Sequence, residues 1–184
     1  MFSRSRPRQL DSEEELYDVA LRALMRRAHS VEEMKQKLTR YCRNDLLVRV
    51  VLARLKESGR LNDETYARQF TRNRTESRKQ GQFRIARELR ARGVSDAQIN
   101  SALEESARQN DPSALVRQRI ERKLKSYRRP PSGKESADKK IASLYGSLLR
   151  AGFPADLIRR ELQRLTREDV PESAVDTETP PETE

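Results

Sequence analysis

The sequence contains no tryptophan, one cysteine, one histidine and six glycines among its 184 residues. A structural zinc site needs about four Cys or His ligands, so Cys42 and His29 cannot supply one. The single cysteine also excludes an internal disulfide, which is typical of a reducing compartment. No glycine-rich phosphate-binding motif and no grouping of catalytic side chains is present. We therefore predict a protein that is not an enzyme and that has no metal and no cofactor.

Long apolar runs are missing as well. No stretch approaches the roughly 20 apolar residues that a membrane span requires, and the arginines near Met1 are not followed by the apolar segment of a signal peptide. We expect a cytoplasmic protein without membrane contact. Hydrophobic residues make up 34% and charged residues 37% of the chain. One large core would be hard to fill from this supply, so several small helical units are favoured.

Positive charge is what the sequence has in excess. The net charge is +10, although residues 168–184 hold seven acidic residues, three prolines and no Lys or Arg. We predict that this acidic tail is disordered. Without the tail, 39 basic residues face 22 acidic ones, a net charge of +17. Such a balance favours a polyanionic partner, either nucleic acid or an acidic protein surface.

Helical patterning covers nearly all of the chain from Asp11 to Arg167. No stretch alternates apolar and polar residues for long enough to predict a strand. Gly59 and Gly93 stand where helices are expected to end. Three capping boxes, in which a serine is followed three residues later by Glu or Gln, predict helix starts. They are Ser12 with Glu15, Ser30 with Glu33, and Ser95 with Gln98.

Five helical positions repeat three times along the chain, at shifts of about 51 and then 59 residues. The three sets are Val31, Met34, Leu38, Val48 and Leu52; Gln82, Ile85, Leu89, Ile99 and Leu103; and Ile141, Leu144, Leu148, Ile158 and Leu162. Gly93 and Gly152 take equivalent turns, and Cys42 takes that place in the first copy. One further helix precedes each repeated pair.

We therefore predict an all-α fold of three tandem three-helix modules that form an elongated, curved body. The modules are residues 11–60, 61–110 and 111–167. Residues 1–10 are predicted to be a basic disordered arm. The Pro-Pro segment at 128–133 is predicted to be a loop inside the third module, because Pro-Pro cannot continue a helix.

Arginine is dense in the second module, where nine basic residues between Arg68 and Arg92 face Glu76 and Glu88. Guanidinium groups suit phosphate and carboxylate alike, and for any one arginine a merely solvated helix face is the alternative. A second basic cluster runs from Arg117 to Arg129. Aromatic residues, at 5%, are too few for a run of base-stacking platforms. The candidate partner-contacting residues are Arg68, Arg72, Arg74, Lys79, Arg84, Arg87, Arg90 and Arg92.

Three sequence motifs follow one another between Leu21 and Glu105. The first is Arg27, Ser30, Glu33, Met34, Lys37 and Leu38. The second is Leu55, Gly59, Leu61, Asp63, Tyr66, Ala67, Phe70 and Arg74. The third is Gly81, Ile85, Glu88, Leu89, Arg92, Gly93 and Val94. Together they resemble the RecX family of bacterial recombination regulators, although Met34 replaces a commoner leucine and the third module matches more loosely.

The resemblance implies a partner and a mechanism. RecX-like proteins bind the RecA filament on single-stranded DNA along its groove, inhibit its ATPase and strand exchange, and promote filament disassembly. The partners implied are RecA and single-stranded DNA, with double-stranded DNA as a further candidate, for a protein that acts as a monomer. We hypothesise that the arginines of the second module carry much of the affinity.

Two other interpretations stay open at the level of sequence. One is a basic helical DNA- or RNA-binding protein that acts independently of RecA, which includes a helix–turn–helix reader. The other is a helical adaptor with a purely protein partner.

Overall fold

A computed structural model describes residues 9–126 and 134–168. Those residues form nine α-helices and no β-strand, which confirms the predicted all-α fold. In chain order the helices are α1 (Glu13–Arg26), α2 (Val31–Leu38), α3 (Asp45–Glu57), α4 (Asp63–Glu76), α5 (Gln82–Arg90), α6 (Asp96–Gln109), α7 (Pro112–Ser126), α8 (Lys134–Ala151) and α9 (Ala155–Glu168).

Three segments singled out in the sequence fall largely outside this part of the chain. They are residues 1–8 of the arm, the 128–133 loop and residues 169–184 of the tail. The end of the arm is described, and there the prediction of disorder is wrong. The Leu10 N–H donates to the Tyr41 carbonyl oxygen at 2.7 Å, and the Leu10 side chain packs on the core of the first module. Glu168, predicted as the first tail residue, lies in α9.

The helices pack in threes, with α1–α3, α4–α6 and α7–α9 each surrounding a core of its own. The chain divides between Asn110 and Asp111 into two compact units, of which the first holds α1–α6 and the second α7–α9. The second unit contains an ion pair between a half-buried arginine and a buried carboxylate, in which Arg117 Nη1 lies 3.2 Å from Glu161 Oε2. Because α1–α6 belong to one unit, contacts between the first two modules are part of its structure.

The repeated apolar positions contribute to all three cores, with one exception. The second to fourth positions of each set are buried, for example Met34, Ile85 and Leu144. The first position is not fully buried in any of the three sets, and only Val31 packs against a core. Gln82, the first residue of α5, is exposed, and so is Ile141 within α8, at 38%, because both side chains lie outside the packed stripe of their helix.

Two of the three predicted capping boxes form. The hydroxyls of Ser30 and Ser95 each accept a hydrogen bond from the backbone N–H three residues on. In return, the side-chain oxygens of Glu33 and Gln98 accept from the serine N–H groups. Ser12 occupies the N-cap of α1 without a side-chain bond, so the prediction there is wrong. Three glutamates in the first turn of α1 already favour its positive end, and the exposed backbone donors are open to water.

The turn after α5 shows why glycine is needed there. Gly93 has φ +77°, and the Val94 N–H reaches back to the Leu89 carbonyl oxygen at 3.3 Å, as in a Schellman motif. Gly152 repeats this geometry with φ +91°. Cys42 lies in the corresponding turn, between α2 and α3, but it does not share the positive φ. Relative to the repeat, α2 ends one residue earlier than α5, and the chain turns without a left-handed residue.

Gly93 also lies against the first module, which yields a test of the joint between modules. A Cβ added at Gly93 would overlap Cβ of Glu32, whereas a Cβ added at Gly59, with φ +67°, meets nothing within 4 Å. We expect Gly59→Ala to lower the free energy of unfolding by about 1 kcal/mol through backbone strain alone. Gly93→Ala should cost about 2 kcal/mol or more, since steric overlap adds to the strain.

Urea unfolding followed by circular dichroism measures both changes. Equal losses for the two variants would mean that the contact with Glu32 does not restrain the structure.

Candidate functional site

A single carboxylate, Glu33 of α2, lies where the end of α1, helix α4 and the turn after α5 meet. Its oxygens accept from Arg27 Nη1 at 2.9 Å and Arg27 Nη2 at 3.4 Å, and from the Tyr66 hydroxyl at 3.3 Å. Arg92 Nε lies 3.5 Å away. The Glu33 side chain is only 19% exposed. We call Arg27, Glu33, Tyr66, Phe70 and Arg92 the junction cluster.

The surroundings of Glu33 keep it ionised. Burial by itself would raise the pKa of the Glu33 carboxyl, but the hydrogen bond and the charge of Arg27 oppose this. The Ser30 N–H and the charge of Arg92 act in the same direction as Arg27, and the pKa ends below its ordinary value of 4.5. A half-buried anion is therefore held between two cations at neutral pH.

Phe70 forms the apolar floor of the same region. The guanidinium carbons of Arg74 and Arg92 each lie 4.7 Å from the centroid of its ring, within cation–π range. The Tyr66 ring centroid is 6.0 Å from that of Phe70. Arg74 is held further by Glu88, with Nη2 and Oε2 3.1 Å apart, and its side chain is only 16% exposed. These arginines are fixed in orientation and are not mobile surface charges.

Two hydrogen bonds at the start of α2 fasten the first module to the second. The Ser30 hydroxyl donates to the Arg92 carbonyl oxygen at 2.6 Å, and the Val31 N–H donates to Asp63 Oδ1 at 2.8 Å. Burial is the main cause that raises the pKa of Asp63, and the bond from Val31 opposes it. Because Ser30 also caps α2, one residue begins a helix and joins two modules.

A cleft of about 480 Å³ opens beside the junction cluster. Its lining combines four arginines with one carboxylate, two aromatic rings and two exposed amides on α4. These residues are Arg27, Arg74, Arg78, Arg92, Glu33, Tyr66, Phe70, Gln69 and Asn73, with Ala28 completing the wall. The charge of this cleft suits an anionic group and not a cation.

The single histidine and cysteine have structural surroundings. His29 is 8% exposed, its Nδ1 lies 2.9 Å from the Arg27 carbonyl oxygen, and burial lowers its pKa. Cys42 is buried in the first core. Throughout residues 9–126 and 134–168, no three His, Cys, Asp or Glu side chains are grouped so as to hold a metal ion. None of the helices described is both long and apolar enough to cross a membrane.

Comparison with known proteins identifies relatives of this architecture. A family model described as "RecX, second three-helix domain" matches residues 62–103. Regulatory protein RecX of Halorhodospira halophila is 37% identical over 146 residues, which cover 79% of this chain and 85% of that protein. The chain belongs to the RecX family. Regulatory protein RecX of Mycolicibacterium smegmatis is also 37% identical, over 77% of this chain and 74% of its own length.

Solved RecX structures share the fold. A crystal structure of regulatory protein RecX superimposes with a TM-score of 0.69 at 18% identity, and covers 82% of this chain and 71% of that one. The crystal structure of RecX from Lactobacillus salivarius gives a TM-score of 0.66 at 20% identity, over 84% of this chain and 97% of that one.

The three motifs that resemble RecX meet in space. Arg27, Ser30 and Glu33 come from the first motif, Tyr66, Phe70 and Arg74 from the second, and Glu88 and Arg92 from the third. Their polar and aromatic members thus build the joint between the first two modules. The candidate contact residues drawn from charge density omitted Arg27, Glu33, Tyr66 and Phe70. The motif resemblance was the signal that contained them.

The structure divides the eight candidate contact residues. Arg74 and Arg92 are half-buried in the joint, and Arg84 pairs with Glu88, with Nε and Oε1 3.1 Å apart. Lys79 has φ +50° in the turn before α5. The remaining four lie exposed on the outer faces of α4 and α5, and they are Arg68, Arg72, Arg87 and Arg90.

The four exposed arginines differ in their partners. Arg68 and Arg72 pair with glutamates one turn away on α4, at 3.1 and 3.2 Å, and both line a groove beside α6. Arg90 Nε lies 2.6 Å from Asp96 Oδ1. Arg87 makes no ion pair with any described residue. Exposed pairs of this kind contribute about 0–1 kcal/mol each, so their arginines can exchange partners readily.

Neutralising Glu33 tests the junction cluster. Glu33→Gln leaves Arg27 and Arg92 without their shared anion, and we expect the free energy of unfolding near pH 7 to fall by about 1–3 kcal/mol. The folded pKa of Glu33 is lowered, so its stabilisation is present above the ordinary value of 4.5 and is lost as the pH falls through the folded value. The difference between wild type and Glu33→Gln should therefore shrink in acid.

Glu64→Gln is the matched control, since it removes one carboxylate from an exposed pair on α4. It should cost less than about 0.5 kcal/mol. A Glu33→Gln loss as small as this, or one that persists unchanged well below pH 4.5, would show that the cluster does not hold the modules together.

Proposed function

We propose that this RecX-family protein is a negative regulator of RecA. In this proposal it binds the RecA filament on single-stranded DNA along its groove, inhibits ATPase activity and strand exchange, and promotes disassembly. The observation that carries the proposal is family membership over most of the chain, supported by a complete junction cluster built from the motifs of the family. The hydrolysed ATP belongs to the partner, and the protein itself acts without catalysis in the bacterial cytoplasm.

The electrostatics of the first unit support a polyanionic filament as the partner. The four outward arginines of α4 and α5 are either unpaired among the described residues or held in exposed pairs. Such pairs cost little to exchange for phosphate or partner carboxylate. We assign the contact role among the eight candidates to Arg68, Arg72, Arg87 and Arg90, and a positioning role to Arg74, Arg84 and Arg92.

The first test is the ATPase of RecA on single-stranded DNA, titrated with the protein. We expect ATP hydrolysis to be inhibited at ratios well below one molecule of this protein per RecA protomer, because a regulator that acts on a filament affects many protomers. Loss of hydrolysis only after the protein has coated the DNA, with a steep dependence of binding on salt, would overturn the proposal in favour of a RecA-independent nucleic-acid-binding protein.

A charge-removal variant tests the assignment of contacts. Replacing Arg68, Arg72, Arg87 and Arg90 by alanine should raise the concentration needed for half inhibition by tenfold or more at moderate salt, about 1.4 kcal/mol. The control removes four exposed arginines elsewhere, Arg22, Arg49, Arg60 and Arg159, and should have a smaller effect. Equal effects would mean that net charge alone, and not this surface, determines binding.

A further inference from the structure

Helix α5 presents an exposed aromatic side chain on its outer face. Phe83 is 60% exposed, whereas every other Phe and Tyr among the described residues is buried or half-buried. A single exposed aromatic residue needs no explanation by itself. The positively charged residues that surround Phe83 are what suggest a binding role for this side chain.

Phe83 shares one stripe of α5 with two of the exposed arginines. Arg87 and Arg90 follow it by four and seven residues, which places all three side chains on the same helix face. The core face of α5 is formed by Ile85, Ala86 and Leu89 and points elsewhere. At about 1.5 Å of rise per residue, the stripe extends roughly 10 Å along the helix axis.

The stripe is positively charged and open. Arg87 is exposed and makes no ion pair with a described residue, and Arg90 is held only by an exposed pair with Asp96. The first turn of α5 contains no acidic residue. Glu88 is the one carboxylate within α5, and it is engaged with Arg74 and Arg84 away from the stripe.

An aromatic ring beside guanidinium groups has the chemistry that recognises single-stranded nucleic acid. Unpaired bases stack on aromatic rings while arginines contact the neighbouring phosphates. Duplex DNA hides its base faces, and the carboxylates of an acidic peptide would pair with the arginines alone, whereas a single strand engages the ring and the arginines together. We propose that the Phe83–Arg87–Arg90 stripe binds single-stranded DNA, with Phe83 stacked on a base and both arginines at adjacent phosphates.

This inference deepens the proposed function, since it names the DNA contact of a protein placed on a DNA-bound filament. It can also be tested without RecA, because the stripe should bind DNA in the absence of RecA. The two proposals can therefore fail separately.

The chain has no tryptophan, so Phe83→Trp introduces a single indole fluorophore. We expect its fluorescence to be quenched when oligo(dT) is added, with an affinity at least equal to that of wild type. Leu46→Trp, at an apolar site on α3 that is 69% exposed, is the control and should show little quenching. Indole fluorescence that stays unquenched in the Phe83→Trp variant at saturating oligo(dT) would overturn the proposal.

Binding by unlabelled variants separates stacking from general apolar contact. Phe83→Ala should weaken oligo(dT) binding about fivefold or more, Phe83→Leu should be equally weak, and Phe83→Tyr should restore binding. Arg87→Ala should reduce the salt slope by about one. Leu46→Ala should leave affinity unchanged. Wild-type affinity in Phe83→Ala, or full rescue by leucine, contradicts stacking.

The RecA ATPase assay, run on the same variants, distinguishes the two proposals. If Phe83→Ala binds oligo(dT) normally but no longer inhibits RecA, the stripe contacts protein and the DNA assignment is wrong. If the stripe binds DNA as expected while wild type leaves RecA unaffected, the regulator proposal fails and the DNA site stands. Unchanged circular dichroism and thermal melting confirm that each variant folds.

Discussion

The joint between the first two modules depends on placing a carboxylate where little water reaches it. Taking Glu33 out of water costs free energy that only close cations and hydrogen-bond donors can offset. Arg27, Arg92 and Tyr66 come from three separate segments of the chain, and each must be in position before the anion is stabilised. The cluster therefore favours one arrangement of α2 against α4 and α5. Hydrophobic contact alone would tolerate sliding, because it has no direction.

The surrounding backbone reinforces the same arrangement. Ser30 caps α2 and donates to the Arg92 carbonyl oxygen, while Asp63 at the start of α4 accepts the Val31 N–H. Both bonds satisfy backbone groups that a helix terminus or turn leaves without partners. Gly93 allows α2 to approach the turn directly, since its missing side chain leaves room for Glu32. Helix ends, normally solvated, are thereby used as the interface, which makes α1–α6 one compact unit.

Local sequence rules predicted the features that are fixed within one turn of chain. The helix order, the capping boxes at Ser30 and Ser95 and the left-handed Gly93 follow from such rules. Ser12 has the same capping pattern without the bond, because an exposed helix start can use water instead. Cys42 matches a glycine in the repeat but not in conformation. A repeat in sequence preserves helix faces more reliably than it preserves the turns between them.

The site could be predicted only in part, because its decisive pairs are distant in sequence. A pair such as Arg84 with Glu88 can be read from four-residue spacing, whereas Arg92 meets Glu33 from another module.

In the second module, the arginines that stabilise the fold differ from the arginines that can contact a partner. Charge density placed half-buried and exposed arginines in one list of candidates, although they differ in accessibility and in the number of their partners. Arg92 has the anion of Glu33, the ring of Phe70 and the Glu88 carbonyl oxygen as partners, so moving it would leave several groups uncompensated. Arg87 makes no ion pair with a described residue. Arg68, Arg72 and Arg90 would lose only weak exposed ion pairs if they moved to a partner. Arginines of the second kind can follow a partner without disturbing the fold. The first kind keeps α4 and α5 rigid, so that the exposed arginines are presented at fixed spacing.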